Sequence, residues 1–246
     1  MSVYHGFAQM YDDLMADIPY EKWRDYIKEI LQQRFTNAEK PTVLDLACGT
    51  GNMTILLANE GFDMIGVDLS ADMLAEAQQK AYEAGHNILF LAQDMRELDL
   101  YGTVDAVVCV CDGINYILDE KDLISVFKKV RLFLNQGGVF IFDMNTEYKF
   151  KELLGQRSFE AKTESGAAYE LDNTYDEKTK INEYRVLFHN QDSSPFMEVH
   201  KQRAYDIGTV LEMLQIAGLN NATVHHEYTA EPPQINSARL VFIANA

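Results

Sequence analysis

The sequence predicts a doubly wound α/β fold whose mostly parallel sheet carries an inserted antiparallel β subdomain. Three observations predict it. From residue 43 to residue 143, short and mostly continuously apolar runs alternate with helical stretches, the pattern of parallel strands covered on both faces. A glycine-containing turn, Gly49-Thr50-Gly51, joins the first run to the next helix. From about Thr146 to Tyr205 the chain is more polar and alternates at period two, as half-exposed strands do.

The elements follow in order. Residues 20–34 place Trp23, Ile27, Ile30 and Leu31 at helical spacing. After Pro41, residues 43–47 form the first strand, and residues 52–60 a helix stopped by Gly61. Residues 62–68 are the second strand. Ser70 suits the N-cap of a helix running to Ala84, with Asp72 in its first turn and Gly85 past its end. Residues 88–92 and 104–110 are the third and fourth strands. Asp119 caps a helix from Glu120 to about Leu134; a turn at 135–138 then leads into a fifth strand at 139–143. Residues 169–175 and 181–188 flank a turn-like segment and form a hairpin, followed by a strand at 196–205. Asp206 caps a helix striped by Val210, Leu211 and Leu214 and ended by Gly218. Residues 222–228 and 238–243 close the fold as a pair of strands.

Composition bounds the function. The 246 residues are 47% apolar and 24% charged, ordinary for a globular chain with a substantial core. No apolar run approaches the roughly 20 residues that span a bilayer, and the opening residues do not read as a signal peptide, so a cytoplasmic protein is expected. Cys48, Cys109 and Cys111 lie in or beside apolar strand-like runs, which fits reduced, buried thiols; no metal site is expected. With 38 acidic against 21 basic residues the formal charge is −17, which disfavours a nucleic-acid partner.

Ligands of open α/β sheets bind beyond the carboxyl ends of the strands, where strand order reverses. The first strand ends here in Asp45-Leu46-Ala47-Cys48-Gly49-Thr50-Gly51-Asn52. Asp45 lies where the dinucleotide fingerprint is typically uncharged, and Thr54 stands where its third glycine would be. Asp68 closes the second strand, where a carboxylate can accept both hydroxyls of a ribose. Asp94 follows the third, placed for an adenine amino group with Met95 beside the ring.

The segment Val43-Leu44-Asp45-Leu46-Ala47-Cys48-Gly49-Thr50-Gly51 resembles the first motif of class I S-adenosylmethionine-dependent methyltransferases, which share a Rossmann-like sheet; Asp68 and Asp94 match that family's second and third cofactor positions. The resemblance covers about residues 40–145 and 206–246 and implies S-adenosyl-L-methionine as cofactor. Asp45 and the backbone around Ala47 and Gly49, with Gly51 in the same turn, would serve the methionine amine, Asp68 the ribose, and Asp94 with Met95 the adenine. Phe7-Ala8-Gln9-Met10-Tyr11-Asp12 resembles an opening segment of small-molecule members, which implies Tyr11 over the methionine end. A sulfonium cation suits a site edged by carboxylates better than a pyrophosphate does. The implied organisation is a helical segment at 1–40 covering the cofactor, a binding core at 41–145 plus 206–246, and a lid or substrate subdomain at 146–205.

The loop after the fourth strand, Cys109-Val110-Cys111-Asp112-Gly113-Ile114-Asn115-Tyr116, is where the family places residues facing the methyl group. Cys111 is accordingly assigned to the cofactor. Asp112, Asn115 and Tyr116, with Arg203 and Tyr205, are the acceptor-binding candidates. For Asp112 and Tyr116, turn formation and packing are equally good accounts. The loop lacks the Asn- or Asp-Pro-Pro-aromatic signature of base-nitrogen and glutamine methylation. Methyl transfer from a sulfonium mainly needs alignment and exclusion of water, with a base only where the acceptor must lose a proton. No catalytic residue is therefore assigned, although His189 and His200 lie near strand ends and could serve. Tyr169, Tyr175, Tyr184 and Phe188 offer either ordinary packing or faces for a cationic amine. The expected activity is methyl transfer to an N or O nucleophile of a small acceptor, by a monomer or homodimer without a membrane partner. The alternatives are an S-adenosylmethionine-binding regulatory protein without turnover, an NAD-dependent oxidoreductase and a nucleic-acid methyltransferase.

Overall fold

A computed structural model of the chain describes residues 10–36, 39–162, 168–189 and 195–246. Helix α1 (Tyr20–Arg34) precedes β1 (Thr42–Leu46), α2 (Asn52–Asn59), β2 (Asp63–Asp68), α3 (Ala71–Glu83), β3 (Leu89–Ala92), β4 (Val104–Cys109), α4 (Glu120–Phe133) and β5 (Leu134–Asn145). Strands β6 (Arg157–Lys162), β7 (Ala168–Asp176), β8 (Ile181–His189) and β9 (Phe196–Arg203) follow, then α5 (Ile207–Ile216), β10 (Asn220–His226) and β11 (Arg239–Asn245).

Seven strands form one sheet in the order β10-β11-β5-β4-β1-β2-β3, and the other four a separate sheet, β6-β7-β8-β9. The chain winds outward from β1 through β2 to β3, then returns to place β4 on the other side of β1. Strand order reverses there, so a crevice opens beyond β1 and β4. Strands β1 to β5 run parallel, and β11, of the closing pair that the sequence predicts, runs antiparallel to both its neighbours, β5 and β10.

Alternation along the strands explains why both faces are apolar. Leu44, Leu46, Val107, Phe140 and Phe142 pack with Phe127 of α4 and Val210 and Leu214 of α5. Val43, Val108, Val139 and Ile141 point the other way, toward Trp23, Ile27 and Leu31 of α1 and Leu57 of α2. Phe142 stacks on Phe140 at 4.6 Å and on Phe242 at 4.9 Å, and each wholly buried ring contributes about 1.5–3 kcal/mol.

Local signals act largely as read. Ser70 Oγ accepts from the Met73 amide at the start of α3, and Asp119 from Lys121 at the start of α4. Asp206 precedes α5, yet its carboxylate takes the Lys180 ammonium at 2.8 Å instead of capping the helix. The residues read as a turn at 135–138 lie within β5 as an irregularity. There the register moves from Val104 opposite Leu134 to Ala106 opposite Val139, and Gly137 adopts φ 79°. The elements not anticipated include the π-helical turn Lys149–Leu154, the short helices Met95–Glu97 and Gly113–Tyr116, and the polar strand β6. Strand β6 borders its sheet, so its outward residues need no apolar pattern.

Candidate functional site

Strand β1 carries Asp45 into the interior and ends in a turn built from left-handed residues: Ala47 at φ 60°, Gly49 at 53° and Gly51 at 78°. Only glycine adopts this region without cost, so Ala47 stores strain at the centre of the crevice. A side chain at Gly51 would stand 3.0 Å from the Ala77 Cβ, so this glycine serves the approach of α3. A Cβ at Gly49 would point toward Tyr11, 3.9 Å away. Asp45 is wholly buried; its Oδ2 accepts from Thr54 Oγ1 at 2.5 Å, while its Oδ1 has no hydrogen-bond partner among the described residues. Burial raises its pKa to about 7, against the lowering effect of the Thr54 bond.

Asp68 braces the same turn from β2. Its Oδ2 accepts from the Gly49 amide at 2.8 Å and its Oδ1 from the Ser70 amide at 2.9 Å. Burial nevertheless pushes its carboxyl above the usual range. Asp94 caps the short helix Met95–Glu97, and both its oxygens face the Arg96 guanidinium, which also reaches Asp122 at 3.3 Å. That contact holds the Asp94 carboxyl below the usual range. Met95 is half-buried beside the core.

Of the opening segment, Phe7, Ala8 and Gln9 lie outside the described residues; the helical backbone at 10–14 lies within them. Asp12 clamps it to the turn, accepting from Thr50 Oγ1 at 2.6 Å, Asn52 Nδ2 at 3.0 Å and Lys80 Nζ at 2.6 Å. The clamp lays Tyr11 beside Gly49. Here a pocket is lined by Tyr11, Tyr20, Ala47, Cys48, Gly49, Thr50, Asn52, Met53, Val110 and Cys111. No lysine or arginine lines it.

The turn after β4 is left-handed as well, Cys111 at φ 55° and Asp112 at 54°. Asp143, wholly buried at the end of β5, holds it by accepting from the Cys111 amide at 3.0 Å and the Asp112 amide at 2.7 Å. Tyr228 and Arg239 also donate to Asp143, and Arg239 bonds Asp112 at 2.7 Å. Gln202 reaches down from β9 to the other oxygen of Asp112. The Asp112 carboxylate is thus committed to Arg239 and Gln202. Asn115 spends its amide on the backbone, donating to Asn145 O and Arg203 O and accepting from the Asn145 amide at 2.9 Å.

The second sheet meets this loop from above. Tyr116 Oη lies 2.5 Å from Tyr184 Oη and 3.3 Å from His200 Nδ1, and the Tyr184 ring stacks on His200 at 4.7 Å. Tyr184, Val186 and Phe188 share a cluster with Met10, Tyr11 and Leu14. Arg203 and Tyr205 instead turn toward the segment before α4. Arg203 donates to Leu118 O and Glu120, Tyr205 to Ile117 O, and the guanidinium lies 4.9 Å from the Tyr205 ring.

The structure therefore brings Tyr11, Ala47, Gly49 and Cys111 together in one pocket, with Asp45 and Asp68 behind its turn and Tyr116 outside its lining, in the loop after β4. Asp94 and Met95 lie further along the strand ends. Asn115, Arg203 and Tyr205 are joined to backbone around the loop. Sequence reasoning missed Asp12, Tyr20, Asn52, Asp143, Gln202, Tyr228 and Arg239. Asp143 had a signal of its own, an acid ending an otherwise apolar strand; the others are far apart in sequence and meet only in the fold.

Comparison with known proteins agrees with this geometry. Residues 43–138 match a protein family described as a methyltransferase domain. The YqeM protein of Bacillus subtilis (strain 168), which carries a methyltransferase name, is 37% identical over 98% of this chain and 96% of its own length. The crystal structure of a S-adenosylmethionine-dependent methyltransferase from Clostridium acetobutylicum ATCC 824 superposes with a TM-score of 0.87 at 32% identity, covering 99% of each chain. A glycine/sarcosine N-methyltransferase of Halorhodospira halochloris is 32% identical over 56% of this chain and 51% of its own.

Proposed function

Since the chain belongs to the class I S-adenosylmethionine-dependent methyltransferases, we propose that it methylates an N or O nucleophile of a small acceptor held between the β1–β4 crevice and the second sheet. Bound S-adenosylmethionine supplies an electrophilic methyl on a sulfonium, with a neutral thioether as leaving group. The observation that carries the site assignment is Asp45 Oδ1, a buried acceptor without a partner beside a strained turn. Buried polar atoms are almost always paired, and an amine donor would complete this one.

The residues fit the cofactor along its length. Asp45 and the backbone of Ala47 and Gly49, with Gly51 shaping the turn, would hold the methionine amine. Asp68 would accept from the ribose, and Asp94 with Met95 would face the adenine. Tyr11 and Cys111 would flank the methyl-bearing end, where the buried Tyr11 keeps its proton. Residues 41–145 and 206–246 would form the binding core, 1–40 its cover and 146–205 the roof that excludes water. On the acceptor side Tyr116 would touch the acceptor, while Asp112, Asn115, Arg203 and Tyr205 would set the shape of the loop that receives it. The formal charge of −17 and the lysine- and arginine-free pocket lining support a small acceptor over a nucleic acid.

Calorimetric titration with S-adenosylmethionine, S-adenosylhomocysteine and NAD tests the cofactor assignment; binding of the first two without NAD is expected. Asp68→Ala should weaken binding by about 1.5–3 kcal/mol, the scale of hydrogen bonds to a charged group. Unchanged affinity in that variant would remove the ribose assignment.

A further inference from the structure

Three polar groups where the roof meets the loop after β4 are given no part in holding the cofactor, and they form one connected chain. Tyr116 arises in the loop that faces the methyl group, Tyr184 on β8 and His200 on β9. Their spacing is set by the sheet, because Tyr184 and His200 are register partners and their rings stack 10° from parallel. Tyr116 sits between them, with one oxygen at 2.5 Å and one imidazole nitrogen at 3.3 Å. Its residue is 40% exposed, so an acceptor entering the crevice can reach it.

From this geometry we infer that the acceptor is an amine, and that Tyr116 relays its proton to Nδ1 of His200. The inference rests on the methyl-transfer reading above. An amine reaches the enzyme as an ammonium ion without a lone pair, so it must lose a proton before it can attack. The ammonium proton passes to Tyr116 Oη as the tyrosine's own proton passes to His200 Nδ1. The freed lone pair then forms the N–C bond while the S–C bond breaks and its electron pair stays on sulfur. The methylated ammonium leaves, and the imidazolium returns its proton to water.

Chemistry selects an amine over an alkanol here. Moving a proton from an amine of pKa about 10.4 to an imidazole of ordinary pKa about 6.5 is uphill by about 10⁴, and the lowering at His200 adds equally to this and to any other acceptor. An alkanol, close to water at 15.7, would face roughly 10⁹. Burial pushes His200 below its ordinary value, so at neutral pH the ring is uncharged and able to accept. The ionisable groups around it include, among the described residues, Tyr116 below, Tyr184 beside it with Tyr11 beyond, and Glu198 two residues along the same face of β9.

The test begins with nitrogen NMR of the histidine rings in the full chain saturated with S-adenosylhomocysteine. The inference expects His200 Nδ1 without a proton at pH 7, and a shift of its resonance in Tyr116→Phe. A proton on Nδ1 in the wild type would overturn the relay. Transfer of labelled methyl is then read for propylamine and N-methylpropylamine against propanol. Methylated amines and unreacted propanol support the inference, whereas preference for propanol overturns it. With an active amine, His200→Gln should lower kcat/KM about 10²–10⁴-fold at pH 7, with the loss closing as the pH nears 10 and the free amine appears. A loss that stays constant with pH marks His200 as structural and sinks the relay. If no probe is methylated, the tautomer of Nδ1 decides. Failure of the wild type to bind S-adenosylhomocysteine would count against the cofactor site instead.

Discussion

Asp45 and Asp143 occupy corresponding places at opposite sides of the crevice. Each is wholly buried near the carboxyl end of a central strand, on the face covered by α1 and α2, and each strand leads into or lies beside a left-handed turn, though only Asp143 bonds the turn's amides. Their surroundings differ. Asp143 receives two backbone amides, a tyrosine hydroxyl and a guanidinium. Asp45 receives one threonine hydroxyl, and its second oxygen has nothing. A buried carboxylate with every lone pair engaged is part of the scaffold; one left half-engaged beside a pocket is positioned for a ligand that brings its own donor.

Breaking the satisfied side should have the largest effect. Arg239→Met leaves the buried Asp143 and the half-buried Asp112 without their cation, and removing one partner of a buried pair such as Asp143–Arg239 costs about 3–5 kcal/mol. Thermal unfolding should show a fall of that order, with S-adenosylmethionine binding weakened because the Cys111–Asp112 turn loosens. A loss below about 1 kcal/mol would mean that packing alone holds the turn.

The unsatisfied side should respond in the opposite sense. A carboxyl at about 7 in the folded chain and near 3.9 unfolded binds more protons when folded. Its contribution is therefore greatest at low pH and falls as pH rises from about 4 to about 7, by on the order of 4 kcal/mol. Asp45→Asn should remove that slope and leave the protein at pH 7 as stable as the wild type or more so. The same variant should bind S-adenosylmethionine about 1.5–3 kcal/mol more weakly. A variant less stable than wild type at pH 7 with its affinity intact would return Asp45 to the scaffold.

This contrast also explains what was legible in advance. The parallel strands, their helices and the period-two hairpin follow from local patterns, and the Gly49 turn with Asp45 and Asp68 falls on contiguous motifs. The network around the turn after β4 does not. Asp143, Arg239, Gln202 and Tyr228 become one network only when β5, β9, β11 and the residues after β10 converge, and no local spacing encodes that. Asn115 illustrates the same limit, since a polar residue in a ligand-facing loop reads as a contact until its amide is seen bonded to Asn145 and Arg203. Strand β6 escaped because Phe159, its one aromatic, is 41% exposed and the strand lacks an apolar face.

Asp94 extends the comparison to a carboxylate near the surface, where the smallest effect is expected. Its partner Arg96 is about half exposed, and such pairs contribute about 0–1 kcal/mol, so Arg96→Met should leave unfolding within that range. The cofactor is the sharper probe. If Asp94 meets the adenine amino group, the guanidinium that now covers both its oxygens competes for the same lone pairs. Arg96→Met should then hold or raise the affinity for S-adenosylmethionine, measured by calorimetry at fixed salt. A clear loss of affinity would place Arg96 itself against the adenine and reduce Asp94 to the residue that orients it.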